Sequence, residues 1–336
     1  MRQENIQHLA IVRLSALGDV CHAMAVVQSI MKQNPTMQVT WITSPLEANL
    51  VRLLKDVQVV EYDKKTGFPG LFSLRKQLKG YRFDMLLHLQ WSLRASFVSR
   101  MVKAKRRVGF ALSHSREKQS WFVNELAPEP KGEHVLDSFL SIASVLGIKQ
   151  PSLPCGLVLP EVSFDLPSRY VVLNPSASKA DRNWTVEGYQ AVLAYLSSKG
   201  MSVVITGGPS LEEKSFAQQI IAEQTDSVID LVGKTRLDVM LSVLKGAELV
   251  ISPDTGPAHM ATLVGTPVLG LYAHSNPKRT GPYKDLDKVV SVYEELVEKE
   301  YQKSVAELPW STRVHDQEAM QYIRIDQVMA VLKRLI

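Results

Sequence analysis

The chain alternates short β-branched runs with amphipathic stretches, and it does so twice. That alternation restricts the fold to parallel sheets flanked by helices, because a helix between two strands supplies the crossover that parallel pairing needs. The first series opens with HLAIVRL (8–14), then a helix from about Val20 with Val20, Ala23, Met24, Val27, Ile30 and Met31 on one face. It continues through VTWIT (39–43), a helix near 46–54, VQVVEY (57–62), a basic helix near 71–79, FDMLLHLQ (83–90), a helix near 93–102 and RRVGF (106–110). The Pro-punctuated stretch LPEVSFDLPSR (159–169) reads as a linker. The second series runs YVVLNPS (170–176), helix 185–199, SVVITGG (202–208), helix 211–224, a short strand near 228–231, helix 236–245, ELVISPD (248–254), helix 257–264 and PVLGLYA (267–273).

At 336 residues the chain exceeds one ordinary core. We expect an α/β protein of two Rossmann-like, doubly wound parallel-sheet domains facing a central cleft, 1–160 and 168–312. The C-terminal segment 313–336 carries Ile325, Val328, Met329 and Leu332 at helical spacing. Its helix is expected to pack back on the N-terminal domain.

Charge sharpens the division. Residues 1–160 hold 21 Lys/Arg against 12 Asp/Glu, a net of +9, while residues 161–336 hold 18 against 22, a net of −4. One half is thus suited to an anionic partner. Its cations concentrate at Arg100, Lys103, Lys105, Arg106, Arg107, Arg116 and Lys118, and again at Lys64, Lys65, Arg75, Lys76 and Lys79. Nucleic acid is not expected, since neither aromatic–basic interleaving nor a recognition helix is present. No apolar run approaches the roughly 18 residues of a spanning helix, and MRQENIQHLAIVRL does not read as a signal peptide, so the expected address is cytoplasmic. Cys21 and Cys155 form no ligand cluster, and Asp285 and Asp287 in KDLDK read as a solvated turn; no metal site is expected.

Open α/β sheets bind ligands beyond the carboxyl ends of their strands. The loops so placed are SALGD (15–19), PSASKADRNW (175–184), TGGPSLEE (206–213), GKT (233–235) and SPDTGPAH (252–259). In the last of these Pro257 suits a first helical turn, Asp254 or Thr255 can cap, and Gly256 lets another backbone approach. The amides of such a helix start, with His259 in the first turn, suit a phosphate. Neither Gly-x-Gly-x-x-Gly nor a Walker loop is present.

SPDTGPAHMATLVGTPVLGLY (252–272), with RLSALGDVCHAM (13–24), FDMLLHLQ and SASKADRNW, resembles the ADP-heptose:lipopolysaccharide heptosyltransferases of glycosyltransferase family nine, over almost the whole chain. The resemblance implies a GT-B fold and inverting transfer of L-glycero-D-manno-heptose from ADP-heptose to Kdo, or to a first heptose, of the lipid A–core acceptor. It implies no cofactor and no required metal. Asp19 then stands where the family has its general base, although alone it would read as a helix N-cap. Ser178, Arg182 (more often lysine in the family), Asp254, Thr255, Gly256 and His259 would meet the donor's phosphates. Gly207, Gly208, Glu212, Gly233, Lys234 and Thr235 would line the nucleoside. His22, Lys64, Lys65 and Arg116 would face the acceptor, and further cations would hold the protein peripherally at an anionic inner leaflet. Two alternatives stay open: a sugar-nucleotide enzyme with another donor or epimerase chemistry, and a non-catalytic nucleotide- or anionic-lipid-binding protein.

Overall fold

Twelve strands among the described residues form two six-stranded sheets, parallel throughout. The computed structural model describes residues 6–222 and 228–336, so the last two residues of the helix expected over 211–224 lie outside it. The first sheet holds β1 (His8–Val12), β2 (Gln38–Thr43), β3 (Val57–Glu61), β4 (Phe83–His88), β5 (Ala104–Gly109) and β6 (Glu125–Leu126) in the order β3-β2-β1-β4-β5-β6. The second holds β7 (Tyr170–Leu173), β8 (Ser202–Ile205), β9 (Val228–Asp230), β10 (Leu249–Pro253), β11 (Val268–Tyr272) and β12 (Val289–Ser291) in the order β12-β11-β10-β7-β8-β9. Counted from its own first strand, the second sheet repeats the order of the first. Chain direction across each sheet reverses at one place, between β1 and β4 and between β7 and β10, which is where doubly wound folds bind ligands.

The strands are apolar on both faces because helices cover both faces. Leu9, Ala10, Ile11 and Val12 are fully buried, and Ile11 sits in register with Trp41 on one side and Leu87 on the other. The helix Leu17–Gln33 buries Val20, Ala23, Met24, Val27 and Ile30 of the expected face, leaves Met31 half-buried, and buries Cys21, His22, Ala25 and Val26 as well, so residues 20–27 are covered all round. In the second unit the helix Gly256–Val264 stops at Gly265, whose φ of 89° is the left-handed conformation a helix end favours in glycine.

Chain contacts divide the protein at Met1–Val158 and Leu159–Ile336. The C-terminal helix Ile325–Leu335 belongs to the second unit: Val328 and Leu332 are buried in one cluster with Val171, Leu196, Val290 and Leu296. Within that unit the helix covers an apolar face beside β12 and the helix Val186–Ser198. Asp285 also departs from expectation. It is buried rather than solvated, accepting from the Val268 amide at 3.1 Å and from Lys288 Nζ at 2.5 Å, and so fixes the start of β11.

Leu332→Ala is expected to destabilise the second unit by about 2–5 kcal/mol, the usual cost of a truncated buried leucine. Hydrogen exchange should show lost protection in β7–β12 and unchanged protection in β1–β6.

Candidate functional site

Each sheet gathers its chemistry at the carboxyl edge, next to the strand-order reversal. In the first unit β1 gives way at Arg13, and the turn Leu14–Ala16 is braced before the helix starts. Gln90 Oε1 accepts from the Leu14 amide at 2.6 Å, while the Leu14 carbonyl accepts from the Ser44 amide at 3.1 Å. Asp19 then lies in the first turn of the helix Leu17–Gln33; it is not the N-cap, which is Ala16 with no side-chain cap. Its Oδ2 accepts a short hydrogen bond from Arg13, whose other arm donates to the Leu89 carbonyl at 2.6 Å and whose guanidinium lies 5.3 Å from the Phe139 ring centroid. Arg13 is 2% exposed, whereas the Asp19 side chain keeps 32% of its surface in solvent. Among the described residues the carboxylate has no hydrogen-bond partner other than Arg13. One oxygen is therefore tethered against a buried cation and the other is available to a proton donor.

The neighbours of Asp19 are unlike it. Burial lowers the Arg13 pKa, an effect opposed by Asp19 and Glu47. His88 at the end of β4 is pushed down to about 3 by burial, then by Arg13 and Arg107, and so is neutral near pH 7 and unsuited to taking up a proton there. His22, one turn after Asp19, is buried edge-on to His134 with ring centroids 5.0 Å apart. That packing sets it in the helix interface rather than on an acceptor-facing surface.

In the second unit the loop after β7 and the corner after β10 meet. Asn174 Nδ2 donates to the Ser176 carbonyl at 3.1 Å and lies 3.5 Å from Thr255 Oγ1, which is 2.8 Å from Ser252 Oγ. Neither Asp254 nor Thr255 caps the helix Gly256–Val264 with its side chain, contrary to the sequence expectation. Asp254 instead accepts from Ser275 Oγ at 2.5 Å and lies 3.8 Å from His259 Nε2. Burial pushes its carboxyl up, but His259, Ser275 and the charge of Arg182 outweigh this and hold it below the usual range. The helix amides thus keep their opening turn unfilled by these two side chains, with Pro257 contributing no N–H.

Arg182 closes the short turn Ala180–Arg182, and that turn is fixed from three sides. Ala177 N donates to Asn183 Oδ1 at 2.7 Å, His274 Nε2 lies 2.9 Å from the Asp181 carbonyl, and buried Trp184 donates to the Ile323 carbonyl at 2.9 Å. Ser178 is exposed on the same loop. Arg182 is thereby held near enough for its charge to act on Asp254, beside Thr255, Gly256 and His259 at the helix start; a guanidinium next to a helix start is a setting for a phosphate group.

The loops after β8 and β9 are tied together, since the Gly233 amide donates to the Gly207 carbonyl at 3.0 Å. Gly233 has a φ of 72°, and a Cβ there would stand 3.0 Å from the Pro209 Cα. The Gly208 amide is taken by Glu213 Oε2 at 2.6 Å, whereas Glu212 is exposed in the first turn of the helix Leu211–Ile221. Lys234 Nζ donates to the Asp230 carbonyl at 2.6 Å, and Thr235 Oγ1 lies 3.6 Å from Met240 Sδ.

The basic residues of the first unit separate into two kinds. Lys105 pairs with Asp84, Arg106 with Glu125, and Arg107 donates to the Ser99 and Val102 carbonyls, so β5 uses its cations within the fold. Lys64, Lys65 and Arg116 are exposed. Among the described residues no three His, Cys, Asp or Glu are grouped to hold a metal ion, and no helix is long and apolar enough to cross a membrane.

Arg13, Asn174, Glu213, His274 and Ser275 escaped the sequence reading. Arg13 and Asn174 sit where a strand run ends, and a polar residue in an otherwise apolar strand is the signal that marks them. Ser275 follows β11, a strand whose carboxyl end deserved the same scrutiny as the other loops.

Residues 71–310 match the family described as Glycosyltransferase family 9 (heptosyltransferase). Over 334 residues the chain is 39% identical to the lipopolysaccharide core heptosyltransferase OpsX of Haemophilus influenzae, covering 97% of this chain and 96% of that one. Escherichia coli heptosyltransferase WaaC with ADP matches with a TM-score of 0.77 at 18% identity, over 98% of this chain and 100% of that chain. A glycosyl transferase of family 9 from Veillonella parvula matches at 0.76 and 19%, over 100% and 98%. At such identities the two structures establish the fold, which is that of GT-B heptosyltransferases.

The lowered pKa of Asp254 makes a pH prediction. A carboxyl held below its unfolded value contributes stability that is complete above about pH 4 and lost as pH falls through the folded pKa. Thermal midpoints measured between about pH 3 and 7 should fall on the acid side, and Asp254→Asn should flatten that limb.

Proposed function

This chain belongs to glycosyltransferase family 9, and from that membership we propose how its residues carry out the transfer of a heptose to the lipopolysaccharide inner core. It is a heptosyltransferase; the donor, the acceptor sugar and the residue roles are our reading. The donor is ADP-L-glycero-D-manno-heptose and the acceptor is Kdo, or a first heptose, of the lipid A–core molecule. The observation that supports this best is the gathering of Arg182, His259 and the start of the helix Gly256–Val264 beside half-buried Asp254.

In this reading the acceptor hydroxyl gives its proton to the untethered oxygen of Asp19 as its oxygen bonds to the anomeric carbon. Attack comes from the face opposite the diphosphate. The bond from that carbon to the β-phosphate oxygen breaks, and its electron pair leaves with ADP, so configuration inverts. Arg13 holds Asp19 in orientation. Arg182, His259 and the amides near Thr255 and Gly256 meet the charge that grows on the departing ADP, with Ser178 as a hydroxyl donor. Since these groups supply the stabilisation, the reaction has no need of a metal. Asp254 orients His259 and Ser275. Gly207, Gly208, Gly233, Lys234 and Thr235 line the nucleoside, and the loop contact of Glu213 favours it over Glu212 as the carboxylate near the ribose.

The acceptor is anionic and lipid-anchored, which accounts for the +9 of residues 1–160. Lys64, Lys65 and Arg116 meet its phosphates and carboxylates, and the protein works peripherally on the cytoplasmic leaflet of the inner membrane.

Purified protein supplied with ADP-heptose and heptose-free lipid A–Kdo should release ADP and add one heptose to the acceptor mass. Asp19→Ala should slow transfer by about 10²–10⁴-fold with ADP affinity unchanged; retained turnover would remove Asp19 as the base. Arg182→Ala should weaken ADP binding about tenfold, read by calorimetry, and an unaltered affinity would argue against the phosphate clamp.

A further inference from the structure

The helix Gly67–Gln77 divides its residues in an unusual way. Leu71, Leu74 and Leu78 point into the first unit and pack with Tyr62, Phe83, Val98 and Val102. Phe68 and Phe72, one turn apart, are 74% and 71% exposed. Around them the segment 64–80 carries Lys64, Lys65, Arg75, Lys76 and Lys79 and not one acid. All five cations are exposed, and among the described residues none forms an ion pair. Within the helix, residues 68, 72 and 76 follow the four-residue spacing of one stripe and 75 flanks it, so the phenylalanines share a face with Arg75 and Lys76, while Lys64, Lys65 and Lys79 lie in the turns at its two ends.

We propose that this helix is a membrane-docking element, laying Phe68 and Phe72 into the boundary between headgroups and acyl chains of an anionic bilayer. An apolar pair rimmed by lysines and arginines is what an interfacial helix presents to such a surface. A second copy of the chain fits poorly. Two phenylalanines bury about 300–500 Å² at most, well under the roughly 800 Å² per partner of a stable interface, and five cations would face five more. The position suits the work proposed above, on which the biological setting rests. The helix follows β3, and β3 lies two strands from β1, about 10 Å along the sheet. Its start is therefore at the same carboxyl edge as Asp19, and a lipid-anchored acceptor held in the bilayer would present its sugar there.

The test is flotation with vesicles of phosphatidylglycerol and phosphatidylethanolamine, against vesicles of phosphatidylcholine alone. Wild-type protein should float with the anionic vesicles and be released as salt rises from about 0.05 to 0.5 M. Phe68→Ser/Phe72→Ser should lose binding about tenfold or more, and Arg75→Gln/Lys76→Gln should bind more weakly and with a shallower salt dependence. Heptose transfer by the Phe variant should stay within about twofold on a deacylated, water-soluble acceptor and fall on acceptor embedded in vesicles. Unchanged flotation of the Phe variant, equal binding to neutral vesicles, or a concentration-dependent dimer abolished by Phe68→Ser/Phe72→Ser would overturn the proposal. Wild-type flotation without transfer to the soluble acceptor would leave the docking element standing and count against the donor and acceptor reading instead.

Discussion

Parallel strand direction is the constraint from which the rest follows. In each unit all six strands run the same way, so every strand-to-helix turn leaves by one edge. Helices on both faces make the strand interiors apolar, and polar side chains are admitted where the strands end: Arg13 and His88 in the first unit, Asn174, Thr206 and Ser252 in the second. There the buried polar atoms can reach partners in adjacent turns. Thr206 Oγ1 donates to Asn174 Oδ1 at 3.3 Å, and Asn174 lies within reach of the Thr255 hydroxyl, so a chain of hydrogen bonds runs along the edge of β8, β7 and β10. The edge is preorganised by this network before any ligand arrives.

Two carboxylates stand after the first strand of one unit and the fourth of the other, and their surroundings assign them different work. Asp254 is half-buried, with Ser275 on one oxygen and His259 beside the other, and its pKa is lowered. Protonating it would break an arrangement the fold depends on, which makes it an anchor. Asp19 has one tether and a third of its side-chain surface in solvent. It can accept a proton without disturbing its neighbours, provided Arg13 stays put. Burying a guanidinium costs several kcal/mol unless its hydrogen bonds and charge are met. Arg13 offsets most of that cost with Asp19, the Leu89 carbonyl and the Phe139 ring, although its buried Nε has no hydrogen-bond partner among the described residues. The same contacts hold the cation in a single orientation, and with it the carboxylate.

The alternation of runs was enough to place the sheets and their loops, since it reports burial of whole strands. Asp19, Arg182 and the corner from Asp254 to His259 were legible because strand ends are where ligands bind. What could not be read was which side chain among neighbours turns inward. Glu212 and Glu213 are equivalent as letters; Ser210 capping the helix sends the second to the loop and the first to solvent. KDLDK looks solvated, yet the unpaired amide at the start of β11 draws Asp285 inside. Arg13 was hidden in LAIVRL, where a cation at a strand's end is ordinarily taken to snorkel. The C-terminal helix has an apolar stripe whose partner in the second unit, the surface beside β12, is not legible in the letters.

Net charge conceals a similar choice. The excess of cations in the first 160 residues suggested one broad basic face, but β5 spends its share on Asp84, Glu125 and backbone carbonyls. Charges paired with an acid attract a distant surface weakly, because the partner's opposite charge cancels most of their field and salt screens the rest. Two exposed basic groups lie at the carboxyl edge: the segment 64–79 after β3, and the loop after β5, where Arg116 is exposed and Lys118 lies 4.7 Å from the ring of exposed Trp121. In the strand order β3 and β5 stand two places to either side of β1. Exposed positive charge thus flanks Asp19 on both sides at the carboxyl edge of the sheet, and an anionic acceptor drawn to either flank is drawn toward the carboxylate between them.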